Sequence, residues 1–97
     1  MNLSEIEWHV EYTKTFLKEL AELPEEVQKR VEEVAFNELP ASQNPFGIGY
    51  IEQMTGYRDK YKIRIGNYRI GITITKKEKL IICQRIAHRK DIYRIFP

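Results

Sequence analysis

Between positions 62 and 94 the sequence gathers side chains that can handle a phosphodiester: Lys62, Arg64, Arg69, His88 and Tyr93. Their spacing is informative. Tyr61, Ile63 and Ile65 alternate with Lys62 and Arg64, and Tyr68, Ile70, Ile72 and Ile74 alternate with Arg69, Gly71, Thr73 and Thr75. Such period-two runs predict two strands, and Gly66-Asn67 between them is a two-residue hairpin signal. Counting outward from that turn sets Arg64 opposite Arg69 and Lys62 opposite Gly71. Opposed residues point to one side of a sheet, so Lys62, Arg64 and Arg69 share the face away from Ile63, Ile65, Ile70 and Ile72. Like charges directly across a strand pair are destabilising. A chain that gives up stability there marks a candidate functional site, and an anion between the two arginines relieves the repulsion. Gly71, beside Lys62, leaves room for a ligand to lie against the sheet.

Cleaving an RNA phosphodiester requires that the 2′-hydroxyl lose a proton, that the phosphorane be stabilised, and that the departing 5′-oxygen gain a proton. Lys62 and His88 are the candidate bases. The arginines suit bidentate phosphate contact, and Tyr93 can stack on a base. Further basic residues, Arg58, Lys60, Arg85, Arg89, Lys90 and Arg94, are candidate RNA contacts. Each has an ordinary alternative. Face lysines and arginines are commonly only solvated, His88 can simply cap a last helix, and Tyr93 can pack at a helix–sheet seam. Trp8, Tyr12 and Tyr68 read as core.

The charge distribution agrees with a polyanion-binding half. Residues 1–56 carry four basic against eleven acidic residues, a net of −7, and residues 57–97 carry twelve against three, a net of +9, within an overall +2. So steep a split suggests a basic face built from the C-terminal half.

The elements that must hold these residues follow from the same patterns. Trp8, Val10 and Tyr12 alternate with His9 and Glu11, predicting a first strand. Thr13 or Thr15 then caps a helix whose apolar stripe is Phe16, Leu17, Leu20 and Leu23. Pro24 fits the first turn of a second helix, with Glu25 and Glu26 at its positive end. That helix carries the stripe Val27, Val31, Val34 and Ala35 and is expected to stop at Leu39-Pro40. With almost no connector, the two helices fold back as a hairpin. Residues 40–56 read as a loop, with Phe46, Tyr50, Ile51 and Met54 tacking it to the body. A charged turn at Lys76–Lys79 separates the hairpin from a last strand over Lys79 to Ala87. His88 to Phe96 forms a short terminal helix with Ile92, Ile95 and Phe96 facing inward. The expected order is β-α-α-β-β-β plus a helix: an α+β domain over residues 1–97, with an N-terminal strand, a helical hairpin on one face, and a three-stranded antiparallel sheet.

Several classes are excluded. The single cysteine, Cys83, permits no intrachain disulfide and reads as a buried thiol in a core strand. Two histidines in 97 residues show no metal-ligand spacing. No apolar run reaches the roughly 18 residues of a membrane span, and no secretory pattern opens the chain, so a cytoplasmic protein without cofactor or metal is expected.

These residues also carry a family pattern. Arg64-Ile-Gly-Asn-Tyr-Arg69, two apolar strands, and His88-Arg-Lys-Asp-Ile-Tyr93 resemble the RelE/ParE superfamily of type II toxins, whose motifs are R-x-G-(D/N)-Y-R and H-R-x-x-(I/V)-Y in that order. The resemblance covers about residues 8–95. It implies the fold just described and, in the RelE branch, an endoribonuclease that cuts mRNA at the ribosomal A site and is silenced by a cognate antitoxin in a toxin–antitoxin complex. Lys62 and Arg64 match that branch's basic strand positions, Arg69 its tyrosine–arginine pair, and Tyr93 its C-terminal tyrosine. Arg89 falls near a further basic position, and His88 is similar to a histidine of related toxins. The ParE branch implies a gyrase inhibitor on the same scaffold, and an inactive member is the remaining alternative. Basic residues at both 62 and 64 favour the nuclease.

Overall fold

In the computed structural model, which describes residues 8–97, the first strand is β1 (His9–Tyr12), and it ends where the Thr13 side chain caps α1 (Lys14–Ala21) by accepting from the Phe16 N–H at 3.0 Å. A side-chain oxygen at this position replaces a missing intrahelical partner. Pro24 sets the start of α2 (Glu25–Glu32), which does not stop before Pro40 as expected. The helix widens into a π-helical stretch (Glu33–Glu38) and ends in a short turn, α3 (Leu39–Ala41). The proline explains both features. Its ring would press on the carbonyl four residues back, which a wider turn relieves. It also has no N–H to give to the Ala35 carbonyl five residues back, and the Tyr12 hydroxyl donates to that oxygen instead, at 2.5 Å.

Five strands form one sheet in the order β1-β5-β4-β3-β2. Beyond the expected hairpin of β3 (Lys60–Ile65) and β4 (Tyr68–Thr75) and the long β5 (Leu80–His88), a three-residue strand β2 (Ile51–Gln53) forms inside the segment read as a loop and pairs with β3. The sheet is therefore mixed rather than three-stranded and antiparallel: β1 runs parallel to β5, His9 beside Leu80 and Tyr12 beside Cys83. The hairpin register is the one counted from the turn, with Arg64 opposite Arg69 and Lys62 opposite Gly71. Gly66 there has φ +57°, the left-handed conformation that glycine adopts without cost.

The main core lies between the helices and one sheet face. Phe16, Leu20, Val31, Ala35 and Leu39 pack on Ile63, Ile70, Ile72, Ile81, Cys83 and Ile86. A second, smaller core occupies the opposite face. There the terminal helix α4 (Ile92–Ile95) brings Ile92 and the following Phe96 against Met54 and Ala87. The Phe96 ring seats directly on Gly71, where a Cβ would fall 2.5 Å from it. The space that glycine leaves is thus filled by the chain's own phenylalanine, not by a ligand.

Beyond Cys83 the outer edge of β5 has no strand beside it. Thr13 and Glu19 cover it instead: Thr13 Oγ1 donates to the Gln84 carbonyl at 2.9 Å, and the Glu19 carboxylate accepts from the Ile86 N–H at 3.0 Å. Edge groups left unpaired are costly and invite wrong partners. Among the described residues no helix is long and apolar enough to cross a membrane.

Candidate functional site

The sheet face away from the helical hairpin, beside α4, is a cleft of about 620 Å³ lined by Lys62, Arg64, Arg69, Arg89, Lys90 and Tyr93, with Tyr50 and Glu52 at its rim. Five cations face one another around one carboxylate. Each is placed by a local rule. Lys62 and Arg64 alternate with the core isoleucines of β3. Arg69 sits across from Arg64 because the two-residue turn fixes the register. Arg89 follows β5, and its N–H donates to the Asn67 carbonyl at 2.7 Å, which ties the end of β5 to the hairpin turn. Tyr93 rides on α4, held by buried Ile92.

The Lys62 side chain is 14% exposed. Its ammonium donates a hydrogen bond to the Tyr93 hydroxyl, lies 4.4 Å from the centre of that ring, and stands 3.9 Å from a Glu52 carboxylate oxygen. The Arg69 guanidinium donates through Nη1 to the Gly66 and Tyr68 carbonyls at 2.8 and 2.9 Å. These bonds hold the fork against its own turn. Burial lowers its pKa below the ordinary value, and the nearby Arg64 and Arg89 charges push in the same direction, opposed by Tyr93 and Glu52. A cation held near other cations is the arrangement an anion relieves. Arg64 is exposed, with its guanidinium 4.6 Å from the centre of the Tyr50 ring.

The structure does not bring every expected residue here. His88 lies opposite Tyr68, on the helix side of the sheet, in edge contact with the Tyr68 ring at 5.5 Å, and its Nδ1 accepts from the Lys90 N–H. The cause is a β-bulge at Gln84, where Ile72 pairs with Cys83 but the neighbouring Gly71 pairs with Arg85. One extra residue reverses which face each later side chain takes. Ile86 enters the core, Ala87 joins the cleft side, and His88 leaves it.

Arg85 is also withdrawn. Its guanidinium forms a forked pair with Glu19, at 2.7 Å for Nη2 and 3.1 Å for Nε, and donates to the Ile95 carbonyl at 3.3 Å. The Glu19 hydrogen bond raises its pKa. It ties α1, β5 and α4 together and has no fork left for RNA. Lys60 donates to Thr73 at 3.1 Å and sits beyond Phe96, in a separate hollow with Gln84 and Arg85. Arg58 is exposed in the β2–β3 turn, and Arg94 pairs with Asp91; neither lines the cleft.

Two lining residues escaped the sequence reading. Glu52 was lost because a three-residue strand carries no readable alternation. Tyr50, expected to pack inward, stands 69% exposed at φ +67°. Met54 does tack its segment to the body, and Phe46 contributes through edge contacts with Trp8 and Tyr61. Cys83 is fully buried, as expected.

The chain is similar to several known proteins. The family model described as the ParE toxin of the type II toxin-antitoxin system, parDE, matches residues 10–93. Toxin RelE3 of Methanocaldococcus jannaschii is 37% identical over 90 residues, covering 89% of this chain and 96% of that protein. Toxin RelG of Mycobacterium tuberculosis is 31% identical over 87 residues, covering 88% and 94%. Among solved structures, the toxin of the RelB-RelE antitoxin-toxin complex from Methanococcus jannaschii superposes with a TM-score of 0.73 at 36% identity, covering 90% of this chain and 99% of that one.

Proposed function

The chain belongs to the RelE/ParE superfamily of type II toxins, and from that premise we propose that it is a RelE-type endoribonuclease that cuts mRNA, at the ribosomal A site, in the cytoplasm. The observation that carries this reading is the single cleft in which Lys62, Arg64, Arg69 and Tyr93 converge, with the Lys62 ammonium bonded to the Tyr93 hydroxyl.

The roles follow from the chemistry. Lys62, acting as its neutral amine and oriented by Tyr93, takes the proton of the 2′-hydroxyl, which then attacks the adjacent phosphorus. Arg69, fixed against its turn, and Arg64 opposite it meet the charge that grows on the phosphorane oxygens. On the α4 side Arg89 supplies positive charge beside the departing 5′-oxygen, and the Lys90 ammonium gives that oxygen its proton. His88, turned to the other face, has no part in the mechanism.

A small antitoxin silences the toxin by covering this face. The relative solved as a RelB-RelE complex supports a partner of that kind, and exposed Leu17 and Phe36 on the helices offer it apolar contacts. The gyrase-directed alternative is less well supported, because the 37% identical relative is named RelE3, the similar solved toxin comes from a RelB-RelE complex, and a gyrase inhibitor has no need of basic residues at 62 and 64.

Induction in cells separates the two: protein synthesis should stop before DNA replication. Arg69→Ala should abolish arrest in a folded protein, since losing one preorganised electrostatic contact typically costs about 100-fold or more in rate. Full toxicity from a folded Arg69→Ala protein at equal expression refutes the assignment.

A further inference from the structure

Tyr50 is held in a conformation its residue type resists. Its φ of +67° lies in the left-handed region, where a Cβ crowds the following carbonyl. Glycine adopts this geometry freely, and Gly49 stands next to it in the chain. The strained backbone is pinned by β3, where the Arg64 N–H donates to the Tyr50 carbonyl at 3.1 Å. Yet the ring is 69% exposed and belongs to neither core. What it does touch is a cation: the Arg64 guanidinium lies 4.6 Å from its centre. A bulky ring kept in a strained, solvent-facing position without a packing role is a mark of function.

Tyr50 stands where the cleft meets a second hollow of about 470 Å³, running toward the β3–β4 turn. Arg64, Arg69 and Arg89 line both, and the second adds Arg30 from α2. Arg30 belongs to the acidic half of the chain, and among the described residues its one ion pair is exposed, with Glu33 at 3.6 Å, which holds it weakly. Four arginines, from α2, β3, β4 and the turn after β5, therefore border one hollow, and an aromatic face stands at its mouth.

We infer that this hollow is a second nucleotide subsite, in which Arg30, together with the shared Arg69 and Arg89, takes the phosphate next to the scissile one while the Tyr50 ring stacks on the base between them. The inference rests on the nuclease reading and extends it: the ligand is a single strand gripped at two successive phosphates. Stacking on an aromatic face is tolerant of base identity, so the subsite adds affinity and register with little sequence preference.

The test uses purified toxin and a fluorescein-labelled single-stranded DNA hexanucleotide, which has the phosphates and bases but no 2′-hydroxyl and so stays intact. Binding is read by anisotropy across a salt series. Tyr50→Gly removes the ring and the strain together, so the fold should be kept, with a melting temperature no lower than wild type. Its affinity should fall about tenfold or more, and Tyr50→Trp should restore it. Arg30→Ala should flatten the slope of log affinity against log salt by about 0.7, the value for one phosphate contact on a single strand. A labelled dinucleotide, with one internucleotide phosphate, should bind wild type and Arg30→Ala alike.

Wild-type affinity and slope in both variants, with binding lost in Arg69→Ala, overturn the subsite and leave the nuclease reading standing. Arg69→Ala protein that binds like wild type removes the whole cleft, and both readings fall. Wild-type protein that cuts message on ribosomes yet gives no anisotropy change at low salt overturns the subsite alone.

Discussion

The Lys62 ammonium donates a hydrogen bond to the Tyr93 hydroxyl across 31 positions of chain, joining the middle of β3 to the first turn of α4. If Lys62 takes the 2′ proton and Tyr93 holds it in place, the two substitutions should separate. Lys62→Ala should lower single-turnover cleavage on ribosomes by about 100-fold or more. Tyr93→Phe keeps the ring 4.4 Å from the ammonium but loses the hydroxyl, so kcat should fall with KM little changed. Wild-type turnover in Lys62→Ala would remove the pair from the chemistry.

The nucleophile can be identified from the substrate side. Glu52 is the one carboxylate lining the cleft, and it stands 3.9 Å from Lys62; a magnesium site normally draws on more oxygen ligands. The RNA should therefore supply its own 2′-oxygen. Products should end in a 2′,3′-cyclic phosphate and a 5′-hydroxyl, and EDTA should slow cleavage only through its effect on ribosomes. A message with a 2′-deoxy or 2′-O-methyl group at the cut position should survive. Equal cutting of modified and unmodified message would contradict this.

Gly71 links stability to activity. A Cβ at 71 meets the Phe96 ring at 2.5 Å, so Gly71→Ala must shift Phe96 and, with it, the helix that carries Tyr93. Overpacking of this kind costs about 1–3 kcal/mol, and cleavage should drop with it. The double variant with Phe96→Ala should lose less thermal stability than the two single losses added together, because the two sites are in contact and so not additive. Strictly additive losses in the double variant would show that the contact is not the cause.

Glu19 closes the open edge of β5. Glu19→Ala leaves the Ile86 N–H and the Arg85 fork without their acceptor. An unsatisfied buried donor costs about 1–3 kcal/mol, and for a domain this size each 1 kcal/mol lowers Tm by roughly 4–8 °C. Glu19→Gln keeps an acceptor for the N–H and should lose less. Calorimetry on the two variants checks the order.

Alkaline pH should destabilise the fold through groups that are buried neutral. Burial pushes the Cys83 thiol up to about 12 from 9.0, and the Tyr12 phenol up to about 12 from 10.0, Tyr12 with a smaller contribution from Cys83. Both folded pKa values are raised, so their contribution is fully present below pH 9. It is lost between about pH 9 and 12, where the unfolded chain releases protons that the native state retains. Cys83→Ala should flatten the lower part of that fall in urea midpoints, and the native thiol should resist disulfide reagents at pH 8. Rapid labelling of folded protein would contradict the burial.

Much of the site could be read without a structure because its geometry is local. A two-residue turn at Gly66-Asn67 sets the pairing of the strands it joins, and side-chain alternation is built into extended backbone. Lys62, Arg64 and Arg69 therefore had to share a face, opposite the isoleucines that the helices cover. The Thr13 cap and the apolar stripes of α1 and α2 are legible for the same reason, apart from Leu17, which is read into the α1 stripe but stands 43% exposed. Only the tertiary structure decided what depends on distant partners. The bulge at Gln84 sends His88 to the other face, and no pattern within β5 announces it. Arg85 is drawn away from the basic face by Glu19, 66 positions earlier, and Gly71 is filled by Phe96. Arg30 reaches a basic hollow from the acidic half of the chain, and Tyr50 reaches it from a segment with no strand pattern. Each of these rests on which surfaces meet once the chain has closed, and that is settled by packing free energy over the whole molecule rather than by any run of neighbouring residues.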